Sequence, residues 1–207
     1  EGWGVMSKKT VSFLASGRGS NFTVVAKKII EGDIKARLGI LISDKESAKA
    51  LDIAGDFGMR SYHVNPRNYP GRQDHEEAMV RLLTDAGTDL IVAAGYMRIM
   101  TPYIIGRFRN RIINIHPALL PSFPGVHGQK QAFDYGVKVS GCTVHFIDEG
   151  TDTGPIIMQA AVPVLEDDTE DTLSARILRE EHRILPESVR LFCEGRLKVS
   201  GRKVKII

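Results

Sequence analysis

Thr10-Val11-Ser12-Phe13-Leu14-Ala15-Ser16-Gly17-Arg18-Gly19-Ser20-Asn21 sets the fold. The apolar run from Thr10 to Ala15 has the length and composition of a buried strand, and the glycine-rich turn after it leads into an amphipathic stretch. That stretch, Asn21 to about Glu31, predicts a helix with Val24, Val25, Ile29 and Ile30 on its inner side, Lys27 and Lys28 outside, and Gly32 as its stop. A strand, a tight turn and a helix in that order open an α/β unit.

The alternation continues outward from there. Strands are predicted at Ala36 to Ser43, Arg60 to Val64, Leu90 to Ala94 and Ile112 to Ile115, with helices at Ala48 to Phe57, Asp74 to Ala86 and Pro102 to Phe108 between them. Leu90 to Ala94 is apolar without interruption, as a strand covered on both faces must be. Pro117, Pro121, Pro124, Gly125 and Gly128 then crowd a segment that suits neither element, and so long a loop in a compact chain is usually functional. Gly141 to Ile147 and Pro155 to Val164 are further strands around the polar loop Asp148 to Gly154. A long helix from Asp171 to about Cys193 should kink at Pro186, and Leu197 to Ile207 forms an edge hairpin. The predicted class is α/β: a single domain with a mostly parallel twisted sheet flanked by helices.

Composition narrows the function. With 43% hydrophobic and 26% charged residues in 207, the chain is neither disordered nor repetitive. Its 28 basic and 25 acidic residues give a formal charge of only +3, too balanced for a nucleic-acid groove and compatible with small anionic substrates. Cys142 and Cys193 form no C-x-x-C pair, so the chain reads as cytoplasmic, without a disulfide framework or zinc knuckle. No apolar run reaches the about 18 residues of a membrane span. Residues 1–5 precede Met6-Ser7-Lys8-Lys9 and read as a remnant or an alternative start, leaving 6–207 as the domain.

Several motifs admit a chemical and a plain reading. The turn Ser16 to Asn21 can place glycines and free helix N–H groups around a phosphate, or simply cap a helix through Ser20 or Asn21. Gly17, Gly19 and Asp44 also fit part of a dinucleotide fingerprint, but Phe22 stands where its third glycine belongs, which favours a monophosphate. Asn114 and His116 share one face of a strand end. They suit attack on a carbonyl, the amide and imidazolium stabilising an oxyanion, or are a satisfied polar pair. Asp152 lies in a loop that is a solvated turn unless it folds against His116. Met97 to Met100 can be core or a flexible apolar wall for a planar ring. His63, His75, His127, His145 and His182 have no metal-ligand spacing, neither cysteine is marked as a nucleophile, and no metal is expected.

Taken together and in order, Gly19-Ser20-Asn21, Gly95-Tyr96-Met97-Arg98-Ile99, Asn114-Ile115-His116-Pro117-Ala118-Leu119-Leu120-Pro121 and Asp152-Thr153-Gly154-Pro155 resemble the phosphoribosylglycinamide formyltransferase family, the glycinamide ribonucleotide transformylases. The likeness runs from about Lys9 to Leu197. It implies a Rossmann-like formyltransferase fold and transfer of a formyl group from 10-formyltetrahydrofolate to the amine of glycinamide ribonucleotide, in purine biosynthesis. Both are small-molecule partners, the folate being a cosubstrate with no tightly bound cofactor, and the protein is expected as a monomer or homodimer. By the same resemblance Asn114, His116 and Asp152 form the catalytic group. Gly19, Ser20 and Asn21 hold the ribonucleotide phosphate, and Leu178, Arg179, Glu180 and Glu181 its ribose and glycinamide portion. Arg72, Met97, Arg98, Ile99, Met100, Asn114, Asp148, Glu149, Gly150, Thr151 and Asp152 bind the folate, Arg72 through its glutamate tail.

The family commonly has Ser in place of Ala118 and Gly in place of Thr153; neither change touches a catalytic atom. Formyltetrahydrofolate deformylase and methionyl-tRNA formyltransferase share these pieces but carry an additional domain, before or after the catalytic one, that 207 residues are not expected to hold. A noncatalytic nucleotide-binding module or a dinucleotide oxidoreductase leaves Asn114, His116 and Asp152 unexplained.

Overall fold

A computed structural model describes residues 7–207; residues 1–5, read above as a remnant or alternative start, lie outside the described residues. Strands β1 (Lys9–Ala15), β2 (Ala36–Ser43), β3 (Arg60–His63), β4 (Leu90–Ala93) and β5 (Ile112–His116) pair in parallel in the order β3-β2-β1-β4-β5. Strand β6 (Val139–Phe146) runs antiparallel to β5, and β7 (Ile156–Pro163) antiparallel to β6. The hairpin of β8 (Leu197–Ser200) and β9 (Lys203–Ile206) joins through β9, completing a nine-stranded sheet with β8 at its edge. The predicted α/β class and edge hairpin therefore agree with the structure.

Period-two alternation divides the core. Val11, Phe13 and Ala15 of β1 face one layer, built from α1 (Ser20–Ile30), α2 (Lys49–Asp56) and α6 (Glu170–Cys193). Leu14 faces the other, built from α3 (Arg72–Asp85) and α4 (Pro102–Arg107). Phe22 is fully buried, its ring edge-on to Phe13 with centroids 4.7 Å apart. Where a dinucleotide fold brings helix and strand together over glycine, this chain fills the gap with an aromatic ring. Ile30, expected on the inner face of α1, is 55% exposed, and Ala26 takes its place in the core. One helix escaped the sequence reading: α5 (Gly128–Tyr135), directly behind the proline-rich segment. Pro186 sits buried inside α6 and does not end it, the helix continuing for 24 residues in all.

The parallel strands end at one edge of the sheet. Because β1 continues to β2 on one side and neighbours β4 on the other, the chain's connections diverge there, the position at which an open α/β sheet forms its ligand crevice. The turn after β1, the Gly95 turn after β4 and the proline-rich loop after β5 all open onto it.

Candidate active site

Asn114 and His116 sit at the end of β5, where β5 lies between β4 and β6. Antiparallel register sets His145 of β6 directly beside Asn114. His145 Nδ1 donates to the Phe146 carbonyl at 2.9 Å, leaving Nε2 as the acceptor, 3.5 Å from Asn114 Nδ2. Burial lowers the His145 pKa, so the ring is neutral at pH 7 and its unprotonated nitrogen orients the Asn114 amide. Among the described residues, the second amide N–H of Asn114 has no hydrogen-bond partner.

Asp152, with φ 54 in the loop after β6, folds back onto β5. Its Oδ2 lies 3.5 Å from His116 Nδ1, and its Oδ1 3.8 Å from His145 Nε2. The Gly125 amide donates to the same Oδ2 at 2.7 Å. His116 is 4% exposed, and its Nε2 donates to the Phe123 carbonyl at 2.7 Å. Both ring nitrogens of His116 thus face oxygen acceptors, an arrangement in which a doubly protonated ring has a partner for each N–H. Behind the ring stands Gly128, where an added Cβ would lie 3.1 Å from His116 Nε2.

Across the crevice, Gly19 adopts φ 73 and caps α1 without any side-chain hydrogen bond. An added Cβ there would lie 2.9 Å from Ala50 Cβ, so both conformation and space require glycine. Asn21 Nδ2 donates to Glu181 of α6 at 3.0 Å, bringing the two predicted ribonucleotide segments together across 160 residues of chain. Asn21 Oδ1 is buried without a partner. Burial raises the Glu181 pKa, and the Asn21 bond opposes that shift. Leu178 and Arg179 are exposed on the same helical turn, while Glu180 pairs with Arg183. Asp44, the candidate ribose acid of a dinucleotide site, is occupied by Ser16 Oγ at 2.6 Å.

Ser16 also accepts from the Met97 amide at 3.0 Å and so ties the first turn to the wall after β4. Met97 and Ile99 are 62% and 64% exposed, whereas Met100 is buried in the second core layer and supports the wall from beneath. Arg72 is exposed at the start of α3. A cavity of about 700 Å³ opens beside Arg98, lined also by Lys45, His63 and Arg67. In the loop after β6, Asp148 Oδ1 accepts from the Gly150 amide and from Thr153 Oγ1, and Glu149 pairs with Arg109. Thr153, where the family commonly has Gly, thereby braces the loop that carries Asp152.

The sequence reading missed His145, the carbonyl of Phe123 and the amide of Gly125. Backbone groups leave no trace in residue type. His145 is separated from Asn114 by 31 residues, and the antiparallel register that makes them neighbours has no local signature.

Residues 9–189 match the formyl transferase family. The trifunctional purine biosynthetic protein adenosine-3 of Drosophila melanogaster is 41% identical over 195 residues, 93% of this chain but only 14% of that protein. The phosphoribosylglycinamide formyltransferase of Bacillus subtilis is 40% identical over 182 residues, 88% of this chain and 93% of that one. Among solved structures, glycinamide ribonucleotide transformylase 1 of Symbiobacterium toebii superposes with a TM-score of 0.95 at 48% identity, covering 97% of this chain and 94% of its own. A formyltetrahydrofolate deformylase of Pseudomonas syringae has a TM-score of 0.90 at 27% identity; the match covers 97% of this chain and 66% of that one.

Proposed function

The chain belongs to the formyl transferase family, and from that premise we propose that it transfers the formyl group of 10-formyltetrahydrofolate to the amine of glycinamide ribonucleotide. The products are formylglycinamide ribonucleotide and tetrahydrofolate. The observation that carries this reading is the convergence of Asn114, His116 and Asp152 at the end of β5, on the same edge of the sheet as the glycine turn after β1. High identity to a transformylase over nearly the whole of both chains supports the choice of acceptor. We also assign the protein to the cytoplasm, as a monomer or homodimer with residues 6–207 as its catalytic domain.

In this mechanism the ribonucleotide phosphate binds the N–H groups of Gly19, Ser20 and Asn21 at the start of α1, where the helix dipole favours an anion. Glu181 meets the ribose and glycinamide portion from α6. The planar ring of the folate lies against Met97 and Ile99, and its carboxylate tail runs toward Arg72. The neutral amine attacks the formyl carbon. Charge develops on the formyl oxygen, where the free N–H of Asn114 donates and His116, as an imidazolium, supplies positive charge. Asp152 holds the orientation of the ring from its Nδ1 side. The attacking nitrogen loses a proton, N10 of the folate gains one through water, and the bond from the formyl carbon to N10 breaks. Alignment of the two substrates supplies much of the acceleration, effective molarities of about 10⁵ M or more being attainable.

The test is formyl transfer with both substrates, run beside a reaction containing water as the only acceptor. Formylglycinamide ribonucleotide should form far faster than free formate. Equal formate release with and without the ribonucleotide would make the enzyme a deformylase. Binding of a nicotinamide cofactor without any transfer would return it to the dinucleotide class.

A further inference from the structure

Gln131, on the first turns of α5, reaches back over the loop between β5 and α5. Its Nε2 donates to the Pro124 carbonyl at 3.1 Å and to the Val126 carbonyl at 2.7 Å. Interleaved with these acceptors are the two backbone groups that hold the site. The Phe123 carbonyl accepts from His116 Nε2, and the Gly125 amide donates to Asp152 Oδ2, each at 2.7 Å. Four consecutive residues therefore divide their backbone groups between the His116–Asp152 pair and one glutamine. Among the described residues, no other side chain hydrogen-bonds to the backbone of residues 123–126.

The segment needs such support. Phe123 and His127 at its two ends have φ 53 and 59, left-handed values that are unfavourable for non-glycine residues and persist only where surrounding contacts over-determine them. The earlier part of the loop is anchored separately, by Thr143 and Gln159 on the Ala118 and Leu120 backbone. Those anchors end before Phe123. Gln131 is exposed, so its bonds exchange with water and contribute little to global stability. What they fix is local geometry.

We infer that Gln131 is a positioning residue for formyl transfer, holding the backbone of residues 123–126 so that the Phe123 carbonyl and Gly125 amide orient His116 and Asp152. The inference rests on the roles of His116 and Asp152 proposed above. Nothing in the residue pattern singles out this glutamine.

Two variants test it. Gln131→Met keeps the length of the side chain and removes both donors; Gln131→Glu keeps its shape and sets carboxylate oxygens against two carbonyls. Lys130→Met is the control, since among the described residues Lys130 pairs only with Asp134 along the same helix. The readouts are single-turnover formyl transfer, the dissociation constants of both substrates, the thermal midpoint, and the NMR signal of the His116 Nε2 proton. The transfer rate should fall roughly 10- to 100-fold in Gln131→Met, the scale set by small misplacements of reacting groups, and further in Gln131→Glu. Both dissociation constants should stay within about twofold, because neither binding wall is touched. The Nε2 proton should lose its protection from exchange, while Lys130→Met matches wild type throughout. An unchanged rate with an unchanged Nε2 proton in both variants would overturn the inference. So would parallel losses of rate, both affinities and thermal midpoint, which would make Gln131 a general structural support. Absence of formyl transfer in the wild type, seen before any variant is made, is a different result and refutes the proposed reaction.

Discussion

The turn after β1 and the loop after β5 open onto the same crevice, yet they are built in opposite ways. The first leaves backbone donors free: among the described residues, no hydrogen bond uses the N–H groups of residues 17–22. Gly19 caps α1 without a side-chain bond to those N–H groups, and an added Cβ at Gly17 would meet nothing within 4 Å. The second has spent its groups already: Phe123 on His116, Gly125 on Asp152, Pro124 and Val126 on Gln131. A segment that binds an anion must leave donors for the ligand, whereas a segment that orients a reacting group must have its polar groups committed before the ligand arrives. Changes in the first should therefore alter affinity, and changes in the second should alter rate.

The sharpest way to break this division is to place charge in the open turn. Ser20→Asp sets a carboxylate where the phosphate binds and should weaken ribonucleotide affinity about 100-fold, the scale of losing a charged hydrogen-bonding contact. Folate affinity should hold within about twofold, the binding surfaces being separate. Calorimetry with each substrate checks this, and equal losses would mean that the turn is not a phosphate site.

Gly128→Ala probes the committed loop. Helix propensity favours alanine by about 0.5–1 kcal/mol, but the added Cβ would also crowd Ala118 Cβ at 3.3 Å, so the two effects oppose each other and stability should stay within about 1 kcal/mol of wild type. The new Cβ, 3.1 Å from His116 Nε2, must displace the ring by a few tenths of an ångström. The catalytic rate should drop about tenfold with little change in either affinity. A rate equal to wild type would show that the position of His116 is not critical.

Within the open turn, the two glycines should separate. Gly19→Ala combines a left-handed φ with a contact at 2.9 Å and should cost about 1–2 kcal/mol in denaturant unfolding. Gly17→Ala should fall within about 0.5 kcal/mol of wild type.

The smallest expected effect is electrostatic. Burial raises the Glu181 pKa in the folded state, so folding favours the protonated acid. The stability this group contributes is present below the ordinary carboxylate range and is lost as pH rises through its folded pKa. Glu181→Gln escapes that loss. Its thermal midpoint relative to wild type should rise as pH increases from the acid range toward neutrality; a difference constant with pH would contradict the shift.

The parallel half of the molecule was legible because burial on both faces writes itself into residue type, as in Leu90–Ala93. The hairpin β8–β9 was legible from its position and charge pattern. Gly19, Asn114, His116 and Asp152 stood out through their ordered motifs, but their contacts did not. His145 joins the site only through antiparallel pairing, and Asp152 only through a loop that folds back with φ 54. Helix α5 lay hidden behind prolines and glycines that discourage a helical reading, although they end at its first residue. Ile30 shows the converse failure, an apolar residue placed inward by pattern and outward by packing.

The central claim is that Asp152 and His116 act as one unit. Single-turnover formyl transfer by wild type, His116→Ala, Asp152→Asn and the double variant tests it most directly. Each single change should slow transfer by about 10²- to 10⁴-fold, the range for a positioned proton-transfer group. The double variant should be close to the worse single one, since a group without its partner has little left to lose. Losses that multiply would contradict the account and leave Asp152 with no part in the action of His116.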